Sequence, residues 1–342
     1  MILARTQRIN HPNGIASLQT PFLVPSFSTK GKRIFKVEDS KIYSEVSAIM
    51  RLMDDNSALT QYYLISAYDM YYNALPEFES LPRTEIIFID SGGYEVSDEV
   101  EGRDELRHCY ATLPWKKEYY YDILQKWFNW SKHDVLPAIL ITYDHPREKR
   151  FSFEEQIENA LELKRRFPGQ LYDILIKPEN EQEYLDTVIT KKVIPDIGCL
   201  SHFDIIGLTE KELGKSIAQR ISNIQKLRVA LDQRGIDKPI HIFGGLDPTL
   251  ALFYFLAGAE IFDGVSWTRY QFNKGVASYH YNFNLEDVTL NQREDSVFNK
   301  MMTNNLSYLN ELEVNMRTYI SKNNFDHFGY MVDIYHRLSA SF

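Results

Sequence analysis

Residues 239–265 read PIHIFGGLDPTLALFYFLAGAEIFDGV. Pro239–Phe243 is an apolar run that stops at a Gly-Gly pair. Asp247-Pro248 then supplies a capping side chain followed by the residue best suited to a first helical position. The helical stretch continues through Ala257, Gly258 ends it, and Glu260–Val265 is a second apolar run. This is a strand–helix–strand unit. Its strands are apolar at nearly every position, as strands covered on both faces must be.

Six further runs of the same kind lie upstream: Pro21–Ser26, Tyr62–Ser66, Glu85–Ile89, Leu136–Thr142, Tyr172–Ile176 and Phe203–Ile206. Helical periodicity separates them. Phe153–Phe167 is opened by Ser152 with Glu155 three residues on, a capping-box pattern. Lys211–Arg234 repeats Leu213, Ile217, Ile221, Ile224 and Leu227 on one face. Eight strands alternating with helices predict an α/β fold, a (β/α)8 TIM barrel, with a doubly wound open sheet as the alternative. Residues 1–285 read as the barrel. Residues 286–342 read as a helical extension packed on it, with Phe298, Met302, Leu306, Leu309 and Leu312 at helical spacing.

The chain of 342 residues carries 38 basic and 47 acidic residues, a net charge of −9. That excludes bulk electrostatic coating of DNA but leaves room for local basic tracks. The two cysteines, Cys109 and Cys199, cannot form a disulfide framework or a Cys₃His zinc site. A cytoplasmic location is expected, with no targeting segment and no membrane span.

Barrel chemistry sits at the C-terminal ends of strands. Reading those positions gives Asp69, Asp90, Asp144, Lys177, Gly207-Leu208, Gly244-Gly245 and Asp263. A single such aspartate is usually a cap or turn residue. Several converging on one mouth suit glycosyl chemistry, which needs one carboxylate as nucleophile and another as acid/base. Asp90-Ser91-Gly92-Gly93-Tyr94 is the sharpest motif. Its glycines would let the backbone approach a flat ligand, and Tyr94 could stack on it.

These residues resemble the tRNA-guanine transglycosylases. The family's Asp-Ser-Gly-Gly-Phe/Tyr-Gln is similar to Asp90-Ser91-Gly92-Gly93-Tyr94-Glu95. Its Phe-Asp-Cys-Val-x-Pro-Thr-Arg is similar to Phe262-Asp263-Gly264-Val265-Ser266-Trp267-Thr268-Arg269. Its Leu-Met-Gly-Val-Gly-x-Pro is similar to Ile242-Phe243-Gly244-Gly245-Leu246-Asp247-Pro248, and Asn13-Gly14 with Thr20–Pro25 resembles its N-terminal strands. The resemblance spans roughly residues 3–275 in consistent order. It implies base exchange in a polynucleotide, with Asp263 attacking C1′ and Asp90 as general acid/base. It further implies Asp144 accepting from the base's N1–H and amine, Tyr94 and Phe243 sandwiching the base, and Gly207-Leu208 contacting its 7-substituent. The target base must leave its stack.

Three departures accompany the match. The family's Gln is Glu95, the Cys after the nucleophile is Gly264, and the base-reading Gln-Gly-Gly loop is Lys177-Pro178-Glu179. The Cys-x-Cys-x-x-Cys zinc pattern is missing too. The chain resembles most the branch that inserts 7-cyano-7-deazaguanine (preQ0) into DNA in bacterial modification islands and phages. A divergent tRNA enzyme and a barrel acting on free nucleosides are the alternatives. A helper protein for DNA loading fits the modest affinity expected of an acidic chain.

Other residues carry weaker signals of chemistry. Cys199 with His202, and His108-Cys109, have spacings compatible with metal ligands, but isolated pairs are usually packed or surface residues. Lys177 could be a Schiff-base lysine, though a salt bridge is the plainer reading. Lys30, Lys32 and Arg33, then Arg147 and Arg150, then Arg269 and Lys274 follow different strand ends and are candidates for a phosphate track.

Overall fold

The computed structural model describes residues 2–339 except 15, 31, 33, 40, 56–60, 98–111, 135, 147–149, 181–182, 280–281, 284–292 and 330. Eight parallel strands close into a barrel: β1 (Phe22–Phe27), β2 (Tyr62–Ser66), β3 (Ile86–Asp90), β4 (Ala138–Ile141), β5 (Leu171–Ile176), β6 (Ile205–Thr209), β7 (Ile240–Phe243) and β8 (Ile261–Gly264). Each strand pairs with its neighbours in chain order and β8 pairs with β1, so the barrel expectation holds and the open sheet does not.

Alternate residues fill the interior. Val24, Leu64, Phe88, Ile139, Ile141, Leu175, Ile205 and Ile261 form one inner cluster, separate from the larger cluster between sheet and helices. An antiparallel hairpin, Arg8–Asn10 with Ser17–Gln19, plugs the bottom and adds Ile9 and Leu18 to that inner cluster.

The helices carry the caps their sequences announce. Helix α1 is Val46–Asp55, α2 is Lys117–Asp134 and α3 is Phe153–Arg166. The Ser152 hydroxyl accepts from Glu155 N–H at 3.2 Å, and the Glu155 carboxylate accepts from Ser152 N–H at 2.7 Å. The stretch 211–234 is not one helix. Glu210–Glu212 forms a 3₁₀ turn, and α4 (Ile217–Gln233) starts afresh from Ser216, whose hydroxyl accepts from Gln219 N–H. Gly214 and this new cap explain the break, while Leu213 stays buried in the connection. In α5 (Pro248–Leu256) the Asp247 carboxylate accepts from the N–H groups of Thr249 and Leu250, both at 3.0 Å.

Helix α6 (Glu294–Lys322) packs on β1 and against both α1 and α5, covering the seam where the barrel closes. It is pinned there by Glu313, which accepts from Leu23 N–H at 2.6 Å and from the Tyr62 hydroxyl. Arg317, one turn on, donates to Pro21 O at 2.9 Å. Helix α7 (Met331–Ser339) follows, with Tyr335 against Phe253 of α5. No helix of the described residues is long and apolar enough to cross a membrane.

At the lower rim, Arg228 of α4 is fully buried against Glu260. One guanidinium nitrogen meets both Glu260 oxygens at 2.8 and 2.7 Å, and Nε donates to Gly258 O at 2.9 Å.

Candidate active site

A cavity of about 530 Å³ opens at the C-terminal end of the barrel, within the size range of small-ligand pockets. Asp90, Asp144, Asp263, Tyr94, Lys177 and Phe243 all line it. These residues are brought together because five strands spread along the chain end at one mouth.

Asp263 is 6% exposed and tightly held. Its Oδ2 accepts from the Ser26 hydroxyl at 2.8 Å, and its Oδ1 accepts from Gly244 N–H at 3.0 Å. Gly244 presents that N–H from a left-handed backbone (φ 77°), a conformation glycine adopts at no steric cost. Below it, His241 Nε2 lies 3.3 Å from Asp263 Oδ1, and His241 Nδ1 lies 2.6 Å from Asp173 Oδ2.

Asp90 accepts from Gly92 N–H at 3.2 Å. Burial, then the neighbouring charges of Glu95 and Asp263, push its pKa up to about 7, against the pull of the Gly92 and Ser91 N–H groups. Behind it sit two more buried carboxylates. Glu95 accepts from the Ser28 and Ser66 hydroxyls at 2.5 and 2.7 Å, and Asp69 accepts from Thr29 N–H and hydroxyl at 2.8 and 2.5 Å. Burial raises both, Asp69 strongly. The loops after β1, β2 and β3 are therefore knitted by short hydroxyl–carboxylate bonds.

The glycines of the Asp90 motif make room for protein atoms. A Cβ on Gly92 (φ 91°) would meet Tyr68 Cβ at 2.8 Å and Trp115 Nε1 at 2.9 Å, and one on Gly93 would meet Asp144 O at 2.8 Å. Trp115 Nε1 donates to Ser91 O at 3.0 Å, and Asp144 N–H donates to the Ser91 hydroxyl at 3.2 Å. The motif thus fixes Asp144 beside Asp90.

Lys177 reaches Asp144 at 3.4 Å and Glu212 at 3.1 Å, with Arg150 on Glu212 at 2.8 Å. Burial lowers the Lys177 pKa, but the two carboxylates outweigh it and raise it. A Schiff-base lysine needs the opposite shift, so Lys177 is an ion-pairing residue of the pocket wall.

Of the residues expected around the base, Gly207 and Leu208 do not line the cavity. Leu208 belongs to the outer core. Gly207 lies under the Phe243 ring, where a Cβ would sit 2.5 Å from Phe243 Cε2 and 2.7 Å from Asp173 Oδ1. Gly207→Ala is expected to tilt Phe243 at a stability cost of about 1–3 kcal/mol, which a melting curve measures.

Among the described basic residues read as a phosphate track, Lys30 and Lys32 are internal. Lys30 is fully buried, donating to Tyr94 O at 2.7 Å and Ser97 O at 2.9 Å, with its ammonium 4.5 Å from the Tyr94 ring centre. Lys32 is 7% exposed and donates to the Thr268 hydroxyl at 2.5 Å. Arg269 is half-buried and donates to the Tyr94 hydroxyl at 3.0 Å, while Lys274 is exposed. Arg33, Arg147 and the His108-Cys109 pair lie outside the described residues. Cys199 and His202 belong to a 3₁₀ segment leading into the N-terminal end of β6, opposite the mouth. Burial, then the charge of Asp196, pushes the Cys199 thiol up to about 11. Among the described residues no group of three or more His, Cys, Asp or Glu is arranged to hold a metal.

Asp173, His241 and Ser26 escape motif reading. A signal was present for two of them: an acid within Leu-Tyr-Asp-Ile-Leu-Ile and a histidine within Ile-His-Ile-Phe interrupt doubly buried strands. Such groups need internal partners.

Fold and site together define a (β/α)8 barrel with an aspartate-lined pocket at its mouth. The chain matches no family model and no curated protein.

Proposed function

We propose that the protein is a base-exchange transglycosylase, replacing guanine in DNA by a 7-deazaguanine such as 7-cyano-7-deazaguanine. One observation carries the reading. Asp263, held by Ser26 and Gly244, shares an aromatic-walled cavity with Asp90, whose proton affinity is tuned to neutrality. That is the division of labour a covalent glycosyl exchange requires.

Asp263 attacks C1′ as the C1′–N9 bond breaks, and Asp90 passes its proton to the departing guanine, which leaves as the neutral base with Asp90 as carboxylate. The incoming base then gives its N9 proton to Asp90, N9 bonds to C1′, and Asp263 is released as carboxylate. Asp144 is placed to accept from the base's N1–H and amine. The chain's two cysteines cannot supply the tRNA-type zinc ligands, which favours DNA as the polymer.

A second reading, action on free nucleosides, is favoured by the internal use of Lys30 and Lys32, which withdraws two cations from any phosphate track. Labelled 7-cyano-7-deazaguanine offered with duplex DNA, single-stranded DNA, tRNA and free deoxyguanosine in parallel separates these readings. Label in DNA alone is expected. Label in tRNA or deoxyguanosine alone selects an alternative, and label in none rejects base exchange.

The raised Asp90 pKa sets a pH dependence. Asp90 is protonated below about 7 and acts as an acid there. Glycosyl-enzyme formation is expected to slow as pH rises through that value. Asp90→Asn is expected to remove this limb and cost about 10²–10⁴-fold, read from single-turnover rates across pH.

A further inference from the structure

His241 stands where a barrel interior ordinarily carries an aliphatic side chain. It is fully buried. Asp173 of β5 approaches Nδ1 at 2.6 Å, and Asp263 of β8 approaches Nε2 at 3.3 Å. Its ring stacks on Phe243 with centroids 3.9 Å apart, and Phe88 of β3 lies 5.7 Å away at a steep angle. Gly207 of β6, paired with His241 in register, adds no side chain. Among the described residues, the titratable groups facing the imidazole are these two aspartates.

The geometry constrains where the protons sit. A contact as short as that to Asp173 requires a proton between Nδ1 and Oδ2, which sits on the nitrogen when Asp173 is a carboxylate. With the proton on Nδ1, a neutral ring would leave its Nε2 lone pair 3.3 Å from Asp263 Oδ1, acceptor beside acceptor in a dry interior, at an angle outside hydrogen-bond geometry. A proton on Nε2 converts that repulsion into attraction.

We infer that His241 is a positioning residue, an imidazolium anchored by Asp173 that holds Oδ1 of Asp263 and leaves Oδ2 as the attacking atom. The inference rests on the reading of Asp263 as nucleophile. Oδ1 is shared by the Gly244 N–H and the cation, whereas, among the described residues, Oδ2 has only the Ser26 hydroxyl. In the first half-reaction the Oδ2–C1′ bond forms while C1′–N9 breaks. In the second, C1′–Oδ2 breaks and its electron pair returns to the carboxylate, where the neighbouring cation stabilises it. The same cation separates Asp173 from Asp263 and moderates the negative field that Asp263 casts on Asp90. Burial draws the His241 pKa down, but Asp173 and then Asp263 outweigh it and raise it to about 9, so the ring stays charged through neutrality.

Nitrogen-15 shifts of histidine-labelled protein test this without any assay of base exchange, the His241 signals being assigned by their loss in His241→Gln. Both ring nitrogens are expected to be protonated at about pH 7.5, with the first deprotonation near 9. Asp173→Asn and Asp263→Asn are each expected to lower that deprotonation by about one pH unit or more. A neutral ring at that pH in the unmodified protein, or a titration that Asp263→Asn leaves in place, overturns the inference. In the kinetic arm, Asp173→Asn is expected to keep activity at low pH and lose it as the weakened histidine deprotonates. A uniform loss at every pH overturns the positioning role. Missing base exchange in a protein whose His241 titrates as expected counts against the proposed function and not against the charge pair.

Discussion

Asp263→Asn is expected to abolish base exchange, with a loss of about 10⁴-fold or more, the scale on which removal of a covalent nucleophile is felt. Asparagine keeps the shape of the side chain and an oxygen that can accept from Gly244 N–H at the present 3.0 Å. What it removes is the charge and the nucleophilic lone pair. No neighbour can substitute: Asp90 holds its proton up to about pH 7, and Asp144 is engaged by Lys177. The loss is therefore expected in the rate of glycosyl-enzyme formation rather than in binding of the base, with a cooperative unfolding transition retained. Rapid-quench kinetics paired with a melting curve separates the two. An Asp263→Asn protein that turns over within tenfold of the unmodified one would remove Asp263 from the chemistry.

The largest effect on stability is expected at the opposite end of the barrel. Arg228→Ala deletes the buried partner of Glu260 and is expected to cost about 3–5 kcal/mol, because Glu260 must then stay charged without that partner or take up a proton in its place. An exposed ion pair of the same geometry would contribute less than about 1 kcal/mol; burial of both side chains, each fully inaccessible, decides which magnitude applies. The effect carries a pH signature. Burial already raises the Glu260 pKa to about 7 despite Arg228, so the folded state binds this proton more tightly than the unfolded chain. Such a carboxylate favours folding most below its unfolded pKa and progressively less as pH rises to its folded value. Without Arg228 the folded value rises further, so the deficit is expected to be level up to about pH 7 and to grow from there towards about pH 9. Chemical denaturation at both ends of that range measures it. Glu260→Gln introduced alongside is expected to recover part of the loss, since it removes the stranded charge.

The barrel was legible because its strands are apolar on both faces and its helix caps are written in side chains: Ser152 with Glu155, and Asp247 before Pro248. The break inside residues 211–234 was not, since Leu213 continues the helical spacing although it packs from a turn. At the mouth, the aspartates were legible from their places at strand ends. The roles of the glycines were only half so. Sequence shows that Gly92 and Gly93 make space, but not that Trp115 and Asp144 fill it. Lys30 and Lys32 illustrate the limit most clearly. A basic tripeptide-like cluster after a strand looks like surface, yet the loop folds back so that both ammonium groups satisfy internal oxygens. Long-range pairing of this kind depends on how loops cross the mouth, which local patterns do not encode. Asp173 and His241 carry the complementary lesson: a charged residue inside a doubly buried strand announces a partner without saying which one.

Trapping of the covalent intermediate tests the central claim most directly. The protein would be incubated with guanine-containing DNA in the absence of an incoming base, quenched under denaturing conditions and analysed by intact and peptide mass spectrometry. The account predicts a DNA adduct on the peptide bearing Asp263, with guanine released in equal amount, and no adduct in Asp263→Asn. Guanine release without an adduct, or an adduct on any other residue, would contradict it.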